Sequence, residues 1–320
     1  MSELPKDFSA VPAGDFVLPF DIWKKGDLAR PTVRGRLVRL DLASARALSA
    51  HALPEAAARI TGESLALSAL LGTALKLDGR LTVQTKSDGP LDLVAADYYG
   101  ADDARQRGVR GFARLDEARF ADLREPDFRA LVGKGALAIT IEPERGGKSY
   151  QGIVALSEGG IAASAETYFM QSEQLPTVLR LAAAPVFRAG EKAPSWRAAG
   201  IMLQMTPEAA RPGAAPEELE DNDDWRRLSL LMKTVEDLEL LDTALAPDTV
   251  LWRLFHEDEV RVQPSLPVTF RCDCDPGRIV MVLKSYAPED RAGLADPDGI
   301  IRARCEFCGT THEIAPGALG

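Results

Sequence analysis

Phe270-Arg-Cys-Asp-Cys274 and Cys305-Glu-Phe-Cys308 hold all four cysteines of the chain, and their reading decides how its C-terminal part folds. A Cys-x-x-Cys knuckle lets two sulfurs reach one ion at about 2.3 Å, and a second close pair completes a tetrahedron. The spacing therefore predicts one zinc ion per chain, held by Cys272, Cys274, Cys305 and Cys308. Four protein ligands leave no open position for water, so the site is expected to be structural and not hydrolytic. A segment of about 50 residues has too little core to fold alone. Zinc binding, worth roughly 10–16 kcal/mol, can supply the missing stability.

The competing reading is a pair of disulfides in a secreted fold. The start, Met1-Ser-Glu-Leu-Pro-Lys-Asp-Phe8, has no basic segment followed by an apolar one, so a secretory signal is not expected. The expected location is cytoplasmic, where thiols are kept reduced. The Cys-x-Cys spacing of the first pair adds a second argument. In an extended strand, residues two apart have α-carbons about 6.6 Å apart, near the upper end of disulfide geometry. The pair can share a metal easily, and oxidation must bend the backbone as well as eject the ion. Four cysteines by themselves allow three disulfide pairings.

Bulk properties narrow the function classes. The 320 residues are 46% hydrophobic and 27% charged, as in a globular chain. The net charge of -10 argues against nucleic acid as a partner, because such binding draws on Lys and Arg displacing counterions. No apolar stretch reaches the roughly 18–20 residues of a membrane span. The most apolar segment, Leu65 to Leu77, is broken by Ser68, Gly72, Thr73 and Lys76 and reads as a buried helix.

Working toward the N-terminus from the cysteines, Thr249 to His256 reads as a short helix with Asp248 as its N-cap. Trp225, Leu228, Leu231, Met232, Val235 and Leu238 fall on one helical stripe. Pro207 to Asp224 is too rich in Pro, Glu and Asp to pack and reads as a linker. Before it, Leu81–Gln84, Leu91–Ala95, Val109–Ala113, Val178–Ala184 and Trp196–Gln204 read as strands, and Ala136–Ile141 with Tyr150–Ala155 as a hairpin. Ala43–Ala50, Glu55–Leu77 and Ile161–Gln171 read as helices. Val33 to Leu40 reads as a strand with an exposed basic face, and residues 1–30 as an arm without a period. Strands and helices not in strict alternation predict an α+β fold. The expected division is an N-terminal α+β domain over 1–206, an acidic, Pro-rich and helical linker over 207–264, and a zinc module over 265–320.

Other chemistry finds little support. His312 follows Cys308 by four residues, but four thiolates already suffice, so a bystander role is expected. His312-Glu313 comes after the cysteine pair, the reverse of a deaminase signature. Gly146-Gly-Lys148 lacks the full phosphate-loop pattern and reads as a hairpin turn. His51 and His256 sit in helical patterns, and no Ser–His–Asp or paired-carboxylate set emerges, so an enzyme is not expected.

Three passages resemble the redox-regulated 33 kDa heat-shock chaperone family, also called the 33 kDa chaperonin. They are Tyr150-Gln-Gly-Ile-Val154, Tyr168-Phe-Met-Gln-Ser-Glu-Gln-Leu-Pro-Thr177, and Val250-Leu-Trp-Arg-Leu-Phe-His-Glu-Asp-Glu-Val260 leading into the cysteines. The likeness runs from about Val33 to Ile314. His312 stands where the family often has an aromatic, and Asp102–Val109 and Pro207–Asp224 look longer than usual. The resemblance implies an ATP-independent holdase that is inactive when reduced and zinc-bound. It implies that oxidation to Cys272–Cys274 and Cys305–Cys308 disulfides releases zinc and unfolds the module and linker. Unfolded client proteins would then bind, and the active form would tend to be a homodimer.

Overall fold

A computed structural model describes residues 14–24, 26, 30–102, 104–144, 147–187, 190, 194–207, 209 and 222–319. Two six-stranded sheets face each other across one helix. The first follows the order β10-β1-β2-β9-β8, built from β1 (Phe16–Trp23), β2 (Val33–Leu40), β8 (Thr177–Val186), β9 (Ser195–Met205) and β10 (Glu259–Val262), with β11 (Leu266–Pro267) also on β1. The second follows β12-β5-β4-β3-β6-β7. Its strands are β3 (Gly79–Ser87), β4 (Leu91–Tyr99), β5 (Gly108–Leu115), β6 (Gly135–Pro143), β7 (Tyr150–Ala155) and β12 (Thr269–Phe270). All these pairings are antiparallel except β12 with β5. The α+β expectation holds.

Helix α1 (Leu42–Ser49) precedes the central helix α2 (Glu55–Ala74), which is buried along nearly its whole length and touches strands of both sheets. An all-round apolar helix needs such a position. Its buried hydroxyls would carry a desolvation cost if left alone. Thr61, Ser64 and Thr73 instead donate to the carbonyls of Ala57, Ile60 and Ala69, each at 2.8 Å. Close approach is set by glycine: a Cβ on Gly72 would stand 2.0 Å from the Tyr98 ring.

Short helices α3 (Glu117–Ala121) and α4 (Phe128–Val132) join β5 to β6. Helix α5 (Gly160–Tyr168) continues into a π-helical turn over Phe169–Glu173, which ends on Gln174 in the left-handed region at φ 54°. Here two of the quoted motifs meet. Gly152 of β7 leaves room for the Tyr168 ring, which a Cβ would approach to 2.3 Å.

The outer face of the first sheet is apolar. Phe16, Leu18, Phe20 and Ile22 of β1, Val33 and Leu37 of β2, and Ile201, Leu203 and Met205 of β9 form it. It is covered by α6 (Asp223–Met232), α7 (Asp237–Leu241) and α8 (Pro247–Phe255) through Trp225, Leu228, Met232, Val235, Leu240, Leu241, Val250, Leu251, Leu254 and Phe255. The last part of the chain holds α9 (Pro276–Lys284), α10 (Pro288–Leu294) and the two-stranded β13 (Ile301–Arg304) and β14 (Thr311–Ile314) around a core of Leu283, Ile301 and Ile314.

Four expectations need correction. The supposed arm contains β1, whose alternation is interrupted by Pro19. Proline lacks a ladder donor, but the Pro19 carbonyl is used, accepting from Gln263 N at 2.9 Å. The basic face of β2 is not exposed as a whole: Arg34 is exposed, Arg36 half-buried and Arg39 buried. The helical stripe is broken, and Leu238 is exposed. Glu236 and Glu239 form a capping box that starts α7 afresh and turns Leu238 outward. Helix α8 starts one residue before Asp248, with Ala246 at the N-cap and Pro247 first in the helix. Most of the stretch Pro207–Asp224 lies outside the described residues.

Candidate metal centre

The sheet edge positions the first cysteine pair. Beyond Thr269–Phe270, which lie parallel to Gly108–Val109, the chain leaves the second sheet at Arg271. A Cβ on Gly108 would meet the Arg271 side chain at 2.2 Å, so glycine permits the close approach. Arg271 then fixes the exit: Nη1 donates to Gly100 O at 3.1 Å, Nη2 to Asp102 Oδ2 at 3.2 Å and Nε to Asp273 Oδ2 at 3.2 Å. Arg105 Nη1 pairs with the same Asp273 oxygen at 2.9 Å. Cys272 and Cys274 flank this doubly held Asp273.

The second pair sits on the turn between β13 and β14. Cys305 N donates to Thr310 O at 2.8 Å and Gly309 N to Cys305 O at 2.9 Å. Gly309 has φ 71°, which glycine adopts without strain.

The structure brings all four sequence-chosen cysteines together. Their sulfurs lie within 4.8 Å of one another and could hold a metal ion. Cys272 Sγ is 3.7 Å from Cys305 Sγ, and Cys274 Sγ 3.5 Å from Cys308 Sγ. Sulfurs at 2.3 Å from one tetrahedral ion stand about 3.8 Å apart, whereas a disulfide needs about 2.05 Å. The donor set therefore fits a thiolate-bound metal. Crowding says the same in electrostatic terms. Burial, then hydrogen bonding to Cys308 and Cys305, pushes the Cys272 thiol up to about 11, and burial raises Cys274 as well. Burial acts upward on Cys308 too, but contacts with Thr310 outweigh it and hold this thiol at about 6. Four thiolates at these separations need a cation among them, and coordination deprotonates a thiol outright.

His312 stands outside the sulfur group, on β14 opposite Ala303, with Nε2 buried and without a hydrogen-bond partner among the described residues. Sequence reasoning missed the groups of the second sheet that lie against the centre. Arg110 of β5 places Nη1 3.9 Å from Cys272 Sγ. Its guanidinium lies 3.8 Å from the centroid of the Phe307 ring, and Phe112 meets Phe307 edge-on with centroids 4.8 Å apart. Arg110 and Phe112 are two apart on one strand, so period-2 alternation put them on one face, but only the fold shows that Phe307 lands there.

The model of the Hsp33 protein family matches residues 23–315. The chain belongs to the Hsp33 family. The 33 kDa chaperonin of Caulobacter vibrioides is 37% identical over 288 residues, covering 89% of this chain and 91% of its own length. That of Pasteurella multocida is 37% identical over 288 residues, with 90% and 91% covered. That of Shewanella loihica is 36% identical over 280 residues, with 88% and 87% covered. A crystal structure of the 33 kDa chaperonin of Thermotoga maritima matches with a TM-score of 0.72 at 20% identity, over 95% of this chain and 96% of that one, a likeness of fold. These relatives carry the name of a chaperone and not of an enzyme. Among the described residues of this Hsp33 chain, no helix is long and apolar enough to cross a membrane.

Proposed function

We propose that this protein is a redox-switched, ATP-independent holdase of the cytoplasm. The observation that carries the reading is the covering of an apolar sheet face by the segment that leads into the four-cysteine centre. Phe16, Leu18, Phe20, Ile22, Val33, Leu37, Ile201, Leu203 and Met205 lie beneath α6–α8. Continuous exposed apolar surface of that kind marks a binding site for other proteins, and unfolding clients are the partners it fits. While α6–α8 are docked, the surface is closed.

The reduced form holds one zinc through Cys272, Cys274, Cys305 and Cys308, which supports a small core of three buried side chains, Leu283, Ile301 and Ile314. Oxidation takes two electrons from each pair, which pass to an oxidant such as peroxide or hypochlorite. One S–S bond forms within Cys272–Cys274 and one within Cys305–Cys308, and the lost thiolate ligands free the ion. In the reduced geometry the short sulfur contacts cross between the two pairs, so forming bonds within each pair rearranges the module. With its metal gone, the module unfolds. The linker then loses its C-terminal support, the apolar face opens, and the active form associates as a homodimer. The working division is 1–206 for client binding, 207–264 for the linker and 265–320 for the switch.

The test is light scattering of an aggregating client with reduced and with oxidised protein, after elemental analysis of the reduced form. One zinc per chain and suppression by the oxidised form alone are expected. Equal suppression by both forms would remove the switch, and zinc near zero under reducing conditions would remove the centre.

A further inference from the structure

Phe307 is one of the two residues between the ligands of the second pair, yet it is not part of the module's own core of Leu283, Ile301 and Ile314. It lies against the outer face of the second sheet, where Arg110 covers its face and Phe112 meets its edge. Arg110 is not a free surface arginine. Its Nε and Nη2 each lie 2.8 Å from Asp97 Oδ2, on the neighbouring strand in direct register. Asp97 is 2% exposed and also accepts from Thr82 Oγ1 at 2.6 Å. The third nitrogen, Nη1, points to Cys272 Sγ at 3.9 Å. One half-buried guanidinium, anchored behind by the buried Asp97, thus touches both halves of the cysteine centre.

We infer that Arg110 is the positioning residue that couples the state of the cysteine centre to docking of the module on the second sheet, with Phe307 as its counterpart. The inference rests on the redox-switch reading above. The physical reason is twofold. A guanidinium over an aromatic face is favoured most when both are out of water, and the ring holds its place only while the Cys305–Cys308 turn keeps its metal-bound shape. A ligating sulfur also carries negative charge that an N–H of Arg110 favours, whereas a disulfide sulfur is neutral. Oxidation therefore removes both contacts in one event, and Arg110 and Phe112 lose their cover.

The experiment uses the full-length reduced protein with its zinc content measured first. Zinc transfer to a chromophoric chelator is timed for the parent, Arg110→Ala, Phe307→Leu and the double variant, with amide exchange followed in β5 and β13–β14. Each single change is expected to speed transfer about ten-fold, between the scales of an exposed and a desolvated cation–π contact. The double variant is expected to match the faster single one, because both remove the same contact. Arg110→Ala takes from Asp97 its nearest cation and leaves it Thr82 and, at 4.0 Å, Arg80, so Asp97→Ala/Arg110→Ala is measured beside it and is expected to transfer as fast. Phe307→Leu leaves the buried ion pair intact and reports on the contact even where the sheet itself is weakened. Single effects that multiply in the double variant overturn the inference, as does unchanged transfer in Phe307→Leu. Loss of client binding in oxidised parent protein, with the coupling intact, would count against the holdase reading alone.

Discussion

Replacing Arg39 by Met tests what holds the linker closed. Arg39 lies on the outer face of the first sheet, 4% exposed, and its fork is spent on the main chain of the linker. Nε donates to Leu240 O at 2.8 Å, Nη2 to Glu239 O at 3.0 Å and Nη1 to Leu245 O. These carbonyls include the end of α7, a five-residue helix that cannot stand alone in water. Hydrogen bonds from a charged donor are worth about 1.5–3 kcal/mol each, so three give about 5–9 kcal/mol. Against this stands desolvation. Burial is the first cause that lowers the Arg39 guanidinium to about 10 from 12.5, opposed by Asp242 and helped by Arg197. That depression corresponds to about 3 kcal/mol. The net contribution is about 2–6 kcal/mol, and Met keeps the apolar stem while removing every donor. Docking of the linker should weaken at least about 30-fold. Amide exchange in the reduced, zinc-loaded protein should show protection lost by that factor at Leu240, Leu241, Val250 and Leu251, with β3–β6 unchanged. Arg39→Lys, with a point charge instead of a fork, should fall between. Parent-like protection in a folded Arg39→Met would refute the idea that these carbonyl bonds hold the linker.

Leu228 of α6 is 1% exposed, whereas Leu231 is only partly buried; Leu228→Asp buries an unpaired charge at several kcal/mol and should suppress client aggregation while reduced and zinc-loaded, with Leu231→Asp weaker in the same scattering assay. In chelator competition, Cys305→Ser should lose zinc affinity severely and His312→Ala should keep it, since His312 lies outside the sulfur group. Gly152→Ala drives a Cβ to 2.3 Å from the Tyr168 ring and should cost about 1–3 kcal/mol in denaturant unfolding. Glu63 of α2 is raised to about 7, first by burial and also by Asp237, against Arg59 and Arg180. A carboxyl with a raised folded pKa gives stability that is fully present below the unfolded value near 4.5 and is lost as pH rises to about 7. Glu63→Gln should therefore match the parent near pH 4.5 and exceed it by up to about 3 kcal/mol above pH 7 in unfolding measured across pH.

The second sheet and the central helix were legible because their signals are local. Strands β3 to β7 carry alternation between turn residues, and α2 is apolar beyond what one face needs. Strand β1 was not legible, because Pro19 reads as a breaker until Gln263 is seen to use its carbonyl. The break at Leu238 was written in Glu236 and Glu239, a capping box hidden inside an apparently continuous stripe. The cysteine centre was readable from spacing alone. Its surroundings were not: Asp97, Arg110 and Phe112 come from β4 and β5, and Phe307 reaches them across long sequence separation. Arg39 was misread for the same reason, since a basic residue on an alternating strand looks exposed until a partner surface covers it.

The layers explain how a change at one end can reach the other. The linker lies on the outer face of the first sheet, and Phe307 lies on the outer face of the second, with α2 between the sheets. The two covers are joined by residues 256–271, which run along sheet edges and put Val268 into the core, with Leu266 and Phe270 packed against it. Strands β10 and β11 pair with β1, and the two-residue β12 pairs with β5. Between them Val268 is buried, and its N donates to Asp15 O at 3.0 Å. Beyond it, Thr269 N and Arg271 N donate to Arg107 O and Val109 O, each at 3.0 Å. Few bonds hold this edge, and they sit next to Cys272. On the proposed reading, unfolding of the cysteine module would strip β12 first, while β10 and the helices retain their larger apolar contacts. Release of the linker, on the same reading, works against the apolar contacts of α6–α8 as well as the Arg39 bonds to main-chain carbonyls.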